Sequence, residues 1–314
     1  MTKKAEPNAR NGATLVAVWP GMGSVASTAG YYLMARLRMH ETDPVPARDL
    51  FDPEHVEIRD GLVRPGTPPQ GRLFLWKNPK DRRDVLVYLG DAQPPSGKIA
   101  FCDRLLDYAT KLGVRDVFTF AALATDMPPT GPSRVLGVAT DNAGLEILRK
   151  AKVELLKTGR ISGLNGVFLA AVAERGLREI GLLGEIPGLA IQIAYPKASR
   201  RVLETFSSLS GIDVDLKELT QYEETVDRQL KEVMARLERT LAGEGTGGEE
   251  HPELPPAEET EPAVSESDRR RITELFEQAR QDRSKSFELK RELDRLGLFK
   301  EYEDRFLDLF REGG

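Results

Sequence analysis

The chain has 314 residues, a formal net charge of −5, one cysteine and three histidines. A lone cysteine excludes an intramolecular disulfide, and this Cys/His content argues against a zinc site. The acidic balance gives no reason to expect binding to nucleic acid or to an anionic membrane. No apolar run approaches the roughly 20 residues of a transmembrane helix, and the polar start lacks a signal-peptide pattern. We expect a cytoplasmic protein without a metal.

The first half of the chain alternates strand and helix patterns. Residues 14–19 predict a buried strand, followed by a turn and by a helix over 25–39 that Ser24 can cap. In chain order, the remaining elements of this half are expected to be a short strand at 56–59, two hairpin strands at 72–76 and 85–89, a helix at 99–112, strands at 114–123 and 135–140, and a helix at 145–150.

The stretch from 153 to 188 predicts strand, glycine-bearing loop, helix and strand. We expect strands at 153–157 and 180–186, with a helix over 167–175 that Gly176 ends in a left-handed conformation. Such a βαβ unit implies a largely parallel, buried sheet. The glycines admit three interpretations: a phosphate cradle, a close-packing joint of helix on sheet, or a family signature without chemistry. Without a Walker lysine or catalytic residues nearby, we expect that they let the helix at 167–175 pack close on the sheet.

The following segment continues the alternation and predicts a layered α/β fold. We expect a strand at 190–195, a helix at 197–209 and a long helix at 216–241. Apolar residues recur along the long helix at steps of three or four, which forms an amphipathic stripe. That stripe either packs on its own domain or binds a partner or a second copy.

The composition divides the chain into four parts. We predict a disordered N-terminus over residues 1–12 and one α/β domain over residues 13–242. Residues 243–266 contain eight glutamates, four prolines and neither lysine nor arginine, which predicts a disordered acidic linker. Residues 267–312 regain helical periodicity with narrow apolar faces. These helices are marginal alone and stable when docked on the main domain or a partner.

The first candidate ligand-binding segment follows the first strand. Gly21, Met22, Gly23 and Ser24 begin a G-x-G-x-x-A pattern at a helix start, the context of a dinucleotide fingerprint. The acidic residue that this fingerprint requires about 20 positions later falls in a turn-like region. A tight strand-to-helix turn is the alternative.

The second candidate segment precedes the helix at 167–175. Free amides at that helix start could hold a carboxylate or a phosphate. No Walker lysine follows, because Val167 occupies its position. The residues predicted to contact an anion here are Gly159, Arg160, Ser162, Gly163, Asn165 and Gly166.

No catalytic set emerges from the sequence. A G-x-S-x-G elbow is missing, and the three histidines are scattered. Cys102 has aromatic and leucine neighbours and reads as a core residue. Asp91, Asp126 and Asp141 follow strands, where α/β proteins often place functional groups, although each could instead cap its own loop. We predict no catalytic residue and no cofactor.

Several segments together resemble the PAC2 family of proteasome-assembly-chaperone-like proteins, in its bacterial form. They are LVAVWPGMGSVAS, VLVYLGDAQPP, VFTFAALATDMP, VLGVATD and TGRISGLNGVFLAAVAERGLREIGLLGEIPG, which span about residues 14–241. The resemblance implies a layered α/β sandwich of phosphorylase/hydrolase-like topology, frequent homo-oligomers, and a non-enzymatic role in assembling or docking on proteasome particles.

Family members that dock on the proteasome α-ring can end in a hydrophobic-tyrosine-any tail, whereas this sequence ends Phe310-Arg311-Glu312-Gly313-Gly314. The resemblance therefore implies a protein-interaction role more directly than a proteasome partner. The alternative is a small-molecule-binding protein or a ligase- or hydrolase-like enzyme that holds an anionic ligand in the glycine loops.

Overall fold

The computed structural model describes residues 12–42, 45, 47–52, 56–59, 61–66, 68–80, 83–241 and 265–311. Its strands are β1 (Ala13–Val18), β2 (His40–Glu41), β3 (Val56–Arg59), β4 (Leu62–Pro65), β5 (Gly71–Trp76), β6 (Asp84–Gly90), β7 (Val114–Thr125), β8 (Val135–Ala139), β9 (Glu154–Leu155) and β10 (Arg178–Pro187). Its α-helices are α1 (Val25–Arg36), α2 (Lys98–Lys111), α3 (Asn142–Lys150), α4 (Gly163–Glu174), α5 (Pro196–Ser210), α6 (Lys217–Leu241), α7 (Glu266–Gln281), α8 (Ser286–Arg295) and α9 (Phe299–Leu307).

Eight strands form one mixed sheet in the order β2-β5-β6-β1-β7-β10-β8-β9. The four central strands β6, β1, β7 and β10 run parallel, as their continuous apolar sequences predict. The flanking strands β5 and β8 run antiparallel to their central neighbours. The carboxyl ends of the four central strands therefore lie at one edge of the sheet, which we call the carboxyl end.

Helices cover both faces of this sheet, and alternate residues of each strand pack into two separate cores. On one face, Phe101 of α2 and Phe168 of α4 pack with Trp19 and Tyr88. On the other face, α1 and α5 pack on β1, β7 and β10, where Phe206 contacts two phenylalanine rings of β7. Each fully buried aromatic side chain contributes about 1.5–3 kcal/mol of hydrophobic stabilisation. The expected layered α/β fold is confirmed.

The C-terminal helices α7, α8 and α9 pack onto the same core as α1 and α5. Tyr31 of α1 meets Phe299 and Phe306 edge-on, and Tyr32 meets Phe287 in the same way. Their apolar faces are too narrow to form a core alone, so contact with the main domain is what buries them. The two segments that the sequence predicts to be disordered, residues 1–12 and 243–266, lie almost wholly outside the described residues.

Polar pairs fix the position of this C-terminal helical extension. Arg72 of β5 is buried and bonds Asp304 at 2.5 Å and Glu41 at 3.4 Å. Arg311 bonds Glu41 at 3.0 Å from the other side. A buried arginine of this kind requires its carboxylate partners, because an unpaired charge in the core is costly. The end of the chain is therefore tied to the edge of the sheet.

Strands β3 and β4 form a separate two-stranded hairpin. The strand at 56–59 was expected, but its partner strand was not. The hairpin is attached near the carboxyl end on both sides. Phe51 before it packs on Phe101 in the first turn of α2, and Gln70 after it bonds Asp91 at the end of β6.

Several sequence expectations are wrong. Residues 190–195 form a short 3-10 turn and bends instead of a strand, because the backbone of this segment bonds Gly23 rather than a neighbouring strand. The strand at 153–157 shrinks to β9, which pairs with β8 and lies at the sheet edge, so it forms no parallel βαβ unit with β10. Ser24 makes no side-chain cap, because its backbone is left-handed at φ 48°.

Candidate functional site

The two glycine segments predicted from the sequence meet at the carboxyl end. Gln93, which follows β6, donates from its side-chain nitrogen to the carbonyl oxygen of Pro20 at 3.2 Å. Its side-chain oxygen accepts from the backbone N–H of Leu164 at 2.9 Å. One glutamine side chain thus joins the turn before α1 to the first turn of α4.

The turn before α1 is built into the loop that follows β10. The N–H of Gly23 donates to Ile191 O at 2.9 Å, and the N–H of Tyr195 donates to Gly23 O at 2.9 Å. Gly23 has φ 61°, and a Cβ atom there would lie 3.3 Å from the carbonyl oxygen of Ala190. Both the conformation and the close approach require glycine. These bonds hold residues 20–24 and 188–195 together as one surface.

That surface is apolar and exposed. Met22, Leu189, Ile191 and Ile193 are all exposed, Leu189 by 48% of its surface. We call these four residues the apolar platform. Pro20 and Gly21 beside them are exposed as well, and a Cβ atom on Gly21 would meet nothing within 4 Å. A cluster of large apolar side chains in water is typical of a contact surface for another macromolecule.

The remaining large hydrophobic side chains that are exposed in the described part of the chain belong to elements at the same end. Ile99 lies in the first turn of α2, which starts there, and four more lie on the β3–β4 hairpin. Val233 lies on α6. Lys197 at the start of α5 bonds Asp227 at 2.7 Å, and the last 14 residues of α6, about 21 Å of helix, follow this contact.

Hydrogen bonds below the platform make it rigid. The hydroxyl of Tyr195 donates to Pro129 O at 3.1 Å, and Nζ of Lys197 donates to Gly131 O at 3.1 Å. The buried carboxylate of Glu185 accepts two bonds from Arg134, at 2.7 and 2.8 Å. Arg134 consequently lowers the pKa of Glu185. These contacts fix the loop between β7 and β8 against the start of α5.

The predicted residues of the second segment lie around the start of α4. Gly159, Arg160, Ser162 and Gly163 are exposed. Gly166 has a specific reason to be glycine, because a Cβ atom there would lie 1.9 Å from the carbonyl oxygen of Ile161.

These glycines contact loop atoms rather than the sheet. Gly163 has φ 69° and approaches the Gln93 side chain, and Gly166 approaches Ile161. The idea that they let the helix pack close on the sheet is therefore wrong. Asn165 has a buried side-chain oxygen with no hydrogen-bond partner in the described structure.

Three backbone amides of the two predicted anion-binding segments already have hydrogen-bond partners. The N–H of Gly23 bonds Ile191, that of Ser24 bonds Gly21 O at 3.2 Å, and that of Leu164 bonds Gln93. A bound anion would have to displace these bonds, and each replacement brings little net free energy. Binding of an anion at these three amides would therefore gain little, and anion binding by the two segments stays a prediction.

The titratable side chains that the sequence singled out do not lie together in one site. Burial raises the pKa of Cys102 to about 12, as expected of a core thiol rather than a nucleophile. Asp141 caps α3 by accepting from the Gly144 N–H at 2.6 Å. Asp91 accepts from Gln70, and burial, reinforced by Glu303, raises its pKa to about 6. Within the described ranges, no cluster of three or more His, Cys, Asp or Glu side chains could hold a metal ion.

Sequence reasoning missed the two features that define the site. Gln93 was not among the predicted site residues. It directly follows β6 at the carboxyl end of a parallel sheet, a position where α/β proteins often place functional residues. Ile191 and Ile193 fall within the strand predicted at 190–195, because they alternate with small or polar residues, and Leu189 directly precedes it. Only the tertiary contacts of Gly23 show that this alternation leaves them on the surface.

The fold and the site together define a layered α/β protein that presents an uncharged apolar surface. Among the described residues, no helix has the length and apolar character needed to cross a membrane. The PAC2 family profile matches residues 15–234, and the chain belongs to the PAC2 family. The match ends within α6, so α7, α8 and α9 lie outside it.

The chain is also similar to individual known proteins. A proteasome-assembly chaperone homologue of Mycobacterium tuberculosis has a TM-score of 0.62 at 25% identity, over 71% of this chain and 95% of that one. An archaeal proteasome activator of Pyrococcus furiosus has a TM-score of 0.59 at 23% identity, over 74% and 100% of the two chains. An uncharacterised protein of Methanocaldococcus jannaschii is 24% identical over 73% of this chain and 86% of its own length.

Proposed function

We propose that this protein acts as a non-enzymatic, assembly-chaperone-like protein that binds a folded protein partner through the carboxyl end. One observation carries the proposal: the large hydrophobic side chains exposed in the described part of the chain belong to elements of this one end. Monomeric proteins rarely expose contiguous apolar patches without a function, and interfaces have apolar, charge-depleted centres.

The shape of this end supports the same function. The platform lies between two projecting elements, the β3–β4 hairpin on the α2 side and the distal part of α6 on the α5 side. A partner that enters between them would contact Met22, Leu189, Ile191 and Ile193. A rigid surface loses little conformational entropy on binding, which favours affinity.

The relatives suggest where to look for the partner. Solved structures similar to this chain are described as a proteasome-assembly chaperone homologue and an archaeal proteasome activator. We therefore propose proteasome core particles as the first partner to test. We also propose that the protein is cytoplasmic and forms homo-oligomers.

Site-specific photo-crosslinking tests this function. A photo-reactive amino acid at Ile191 should crosslink to a purified proteasome particle of the source organism, whereas the same group at Lys111 should not. Lys111 is exposed and ends α2 at the opposite end of the sheet. The substitution Ile193→Asp should abolish the crosslink from position 191. Equal crosslinking from both positions, or none from Ile191, would contradict the proposal.

A second function has one observation in its favour. A cleft of about 320 Å³ opens at the amino end of the central strands, with Phe118, Ile180 and Leu209 in its wall and Arg83 and Arg178 at its rim. Its volume lies at the lower limit of small-molecule sites, about 300 Å³. If the protein as purified retains a stoichiometric small molecule that Phe118→Trp displaces, ligand binding is the better description.

A further inference from the structure

The β3–β4 hairpin has one apolar face. Val56 lies directly opposite Pro65, and Ile58 directly opposite Val63. Directly opposed residues share a face of a sheet, so these four residues lie on the same side. All four are exposed, Ile58 by 71%. A two-stranded hairpin alone is only marginally stable in water, so this hairpin gains stability from any strand added to it.

The free edge of β3 can accept another strand. Arg59 and Leu62 are the last paired residues, which leaves a two-residue loop in which Gly61 has φ 76°. In such a hairpin the closing pair exchanges its backbone hydrogen bonds, and the bonds then alternate along the strand. The N–H and C=O of Ile58 therefore point away from β4. Outward donors and acceptors of this kind form a template for strand pairing.

The free edge of β4 is different. The same alternation points Val63 and Pro65 outward. Proline has no N–H to donate, and natural proteins use it to close a sheet edge. Strand addition is therefore directed to β3.

The sequence of β3 is complementary to itself. It reads Val56-Glu57-Ile58-Arg59. When two such strands pair antiparallel about a two-fold axis at Ile58, position 57 of each copy lies opposite position 59 of the other. The pairing then has two Glu–Arg oppositions and no like-charge opposition. Opposite charges across strands stabilise a sheet, and like charges destabilise it.

We propose that β3 pairs antiparallel with β3 of a second copy of this chain. The product is a four-stranded sheet with the order β4-β3-β3-β4 and one continuous apolar side. Its contact is isologous, since the same residues are used on both copies. This pairing supplies the contact surface for the homo-oligomeric state proposed above, and it needs no particular partner at the apolar platform.

Charge reversal on the full-length chain tests the pairing. Arg59→Glu places glutamate opposite glutamate twice between the two copies, and within its own hairpin it lies opposite the uncharged Leu62. We therefore expect the self-association constant to fall at least about tenfold. The double variant Glu57→Arg/Arg59→Glu restores both oppositions in reversed order and should recover most of the lost association. Any deficit that remains reflects the new arginine opposite Arg64 within the same hairpin. Analytical ultracentrifugation over a concentration series measures all three constants. Lys111→Glu, a charge reversal at an exposed position at the opposite end of the sheet, is the control and should leave the association constant unchanged.

Each outcome of this experiment either supports or contradicts β3 pairing. Loss in the single variant with recovery in the double variant supports β3 pairing. A wild-type chain that stays monomeric, a single variant that associates normally, or a double variant no better than the single one overturns it. The crosslink from Ile191 is measured on the same variants, so failure of β3 pairing and failure of the proposed partner function are distinguished.

Discussion

The backbone N–H of Leu164 donates a 2.9 Å hydrogen bond to the side-chain oxygen of Gln93. The same glutamine donates to Pro20 O, so it holds the start of α4 against the turn that precedes α1. The first N–H groups of a helix have no partner within the helix, and a side-chain acceptor satisfies one of them. The platform thus depends on a residue outside both glycine segments.

Gln93→Leu should loosen this joint. It leaves the Leu164 N–H and the Pro20 carbonyl without their partner, and we expect a loss of about 1–2 kcal/mol in the free energy of unfolding. Hydrogen exchange at Leu164 should become faster than in the wild type. Gln93→Glu is the matched control, because it keeps the acceptor and adds a charge that the helix N-terminus favours. Equal exchange in both variants would show that the bond is unimportant.

Gly166→Ala should be strongly destabilising. The added Cβ would lie 1.9 Å from the carbonyl oxygen of Ile161, so the loop before α4 must move. We expect a loss of about 2–4 kcal/mol in urea unfolding, within the range of severe single substitutions. Gly188→Ala provides the control, since nothing lies within 4 Å of a Cβ there. Similar costs for both variants would contradict the steric explanation.

The buried carboxyl group of Glu179 should make the free energy of unfolding fall as pH rises. Its carboxyl is buried and accepts one bond, at 2.7 Å from Thr119, while its second oxygen has no partner in the described structure. Burial raises the pKa of Glu179 from 4.5 to about 8. Between these values the folded state binds the proton and the unfolded state does not. The free energy of unfolding therefore decreases as pH rises through this range, and the stabilisation present at low pH is lost as pH approaches 8.

Denaturant unfolding at pH 5, 6, 7 and 8 checks this prediction. Glu179→Gln keeps the acceptor for Thr119 and carries no charge, so it should unfold with less dependence on pH. The wild type minus variant difference should grow to several kcal/mol toward pH 8, at about 1.4 kcal/mol for each unit of pKa shift. A difference that is the same at pH 5 and pH 8 would exclude a buried titrating carboxyl.

The C-terminal helices should prove necessary for a stable main domain. Phe306 is buried against Tyr31, and Phe306→Ala should cost about 3–5 kcal/mol. Phe299→Ala, at a partly exposed ring on the same tyrosine, is the comparison and should cost less. Urea unfolding measures both. Truncation after Ala242 should uncover the aromatic face of α1 and increase binding of an apolar dye. A truncated chain as stable as the full one would contradict this.

Elements with strong periodicity were predictable. Helices α2 and α5 and the antiparallel pair β5–β6 appear close to their expected bounds, and Gly176 adopts the left-handed conformation expected at the end of its helix. Segments with short apolar runs were not predictable. Residues 190–195 have a strand-like alternation, yet their backbone bonds are with Gly23. A local sequence pattern does not reveal a hydrogen-bond partner that lies far away in the sequence.

The sequence by itself determined the layered α/β class, the family and the two glycine segments, because hydrophobic period and glycine spacing are local properties of the chain. Only the tertiary structure decided that these segments meet through Gln93 and that Leu189, Ile191 and Ile193 lie on the surface. It also decided that the C-terminal helices complete the core beside α1. Those facts depend on contacts between residues far apart in sequence, which packing and hydrogen bonding select together.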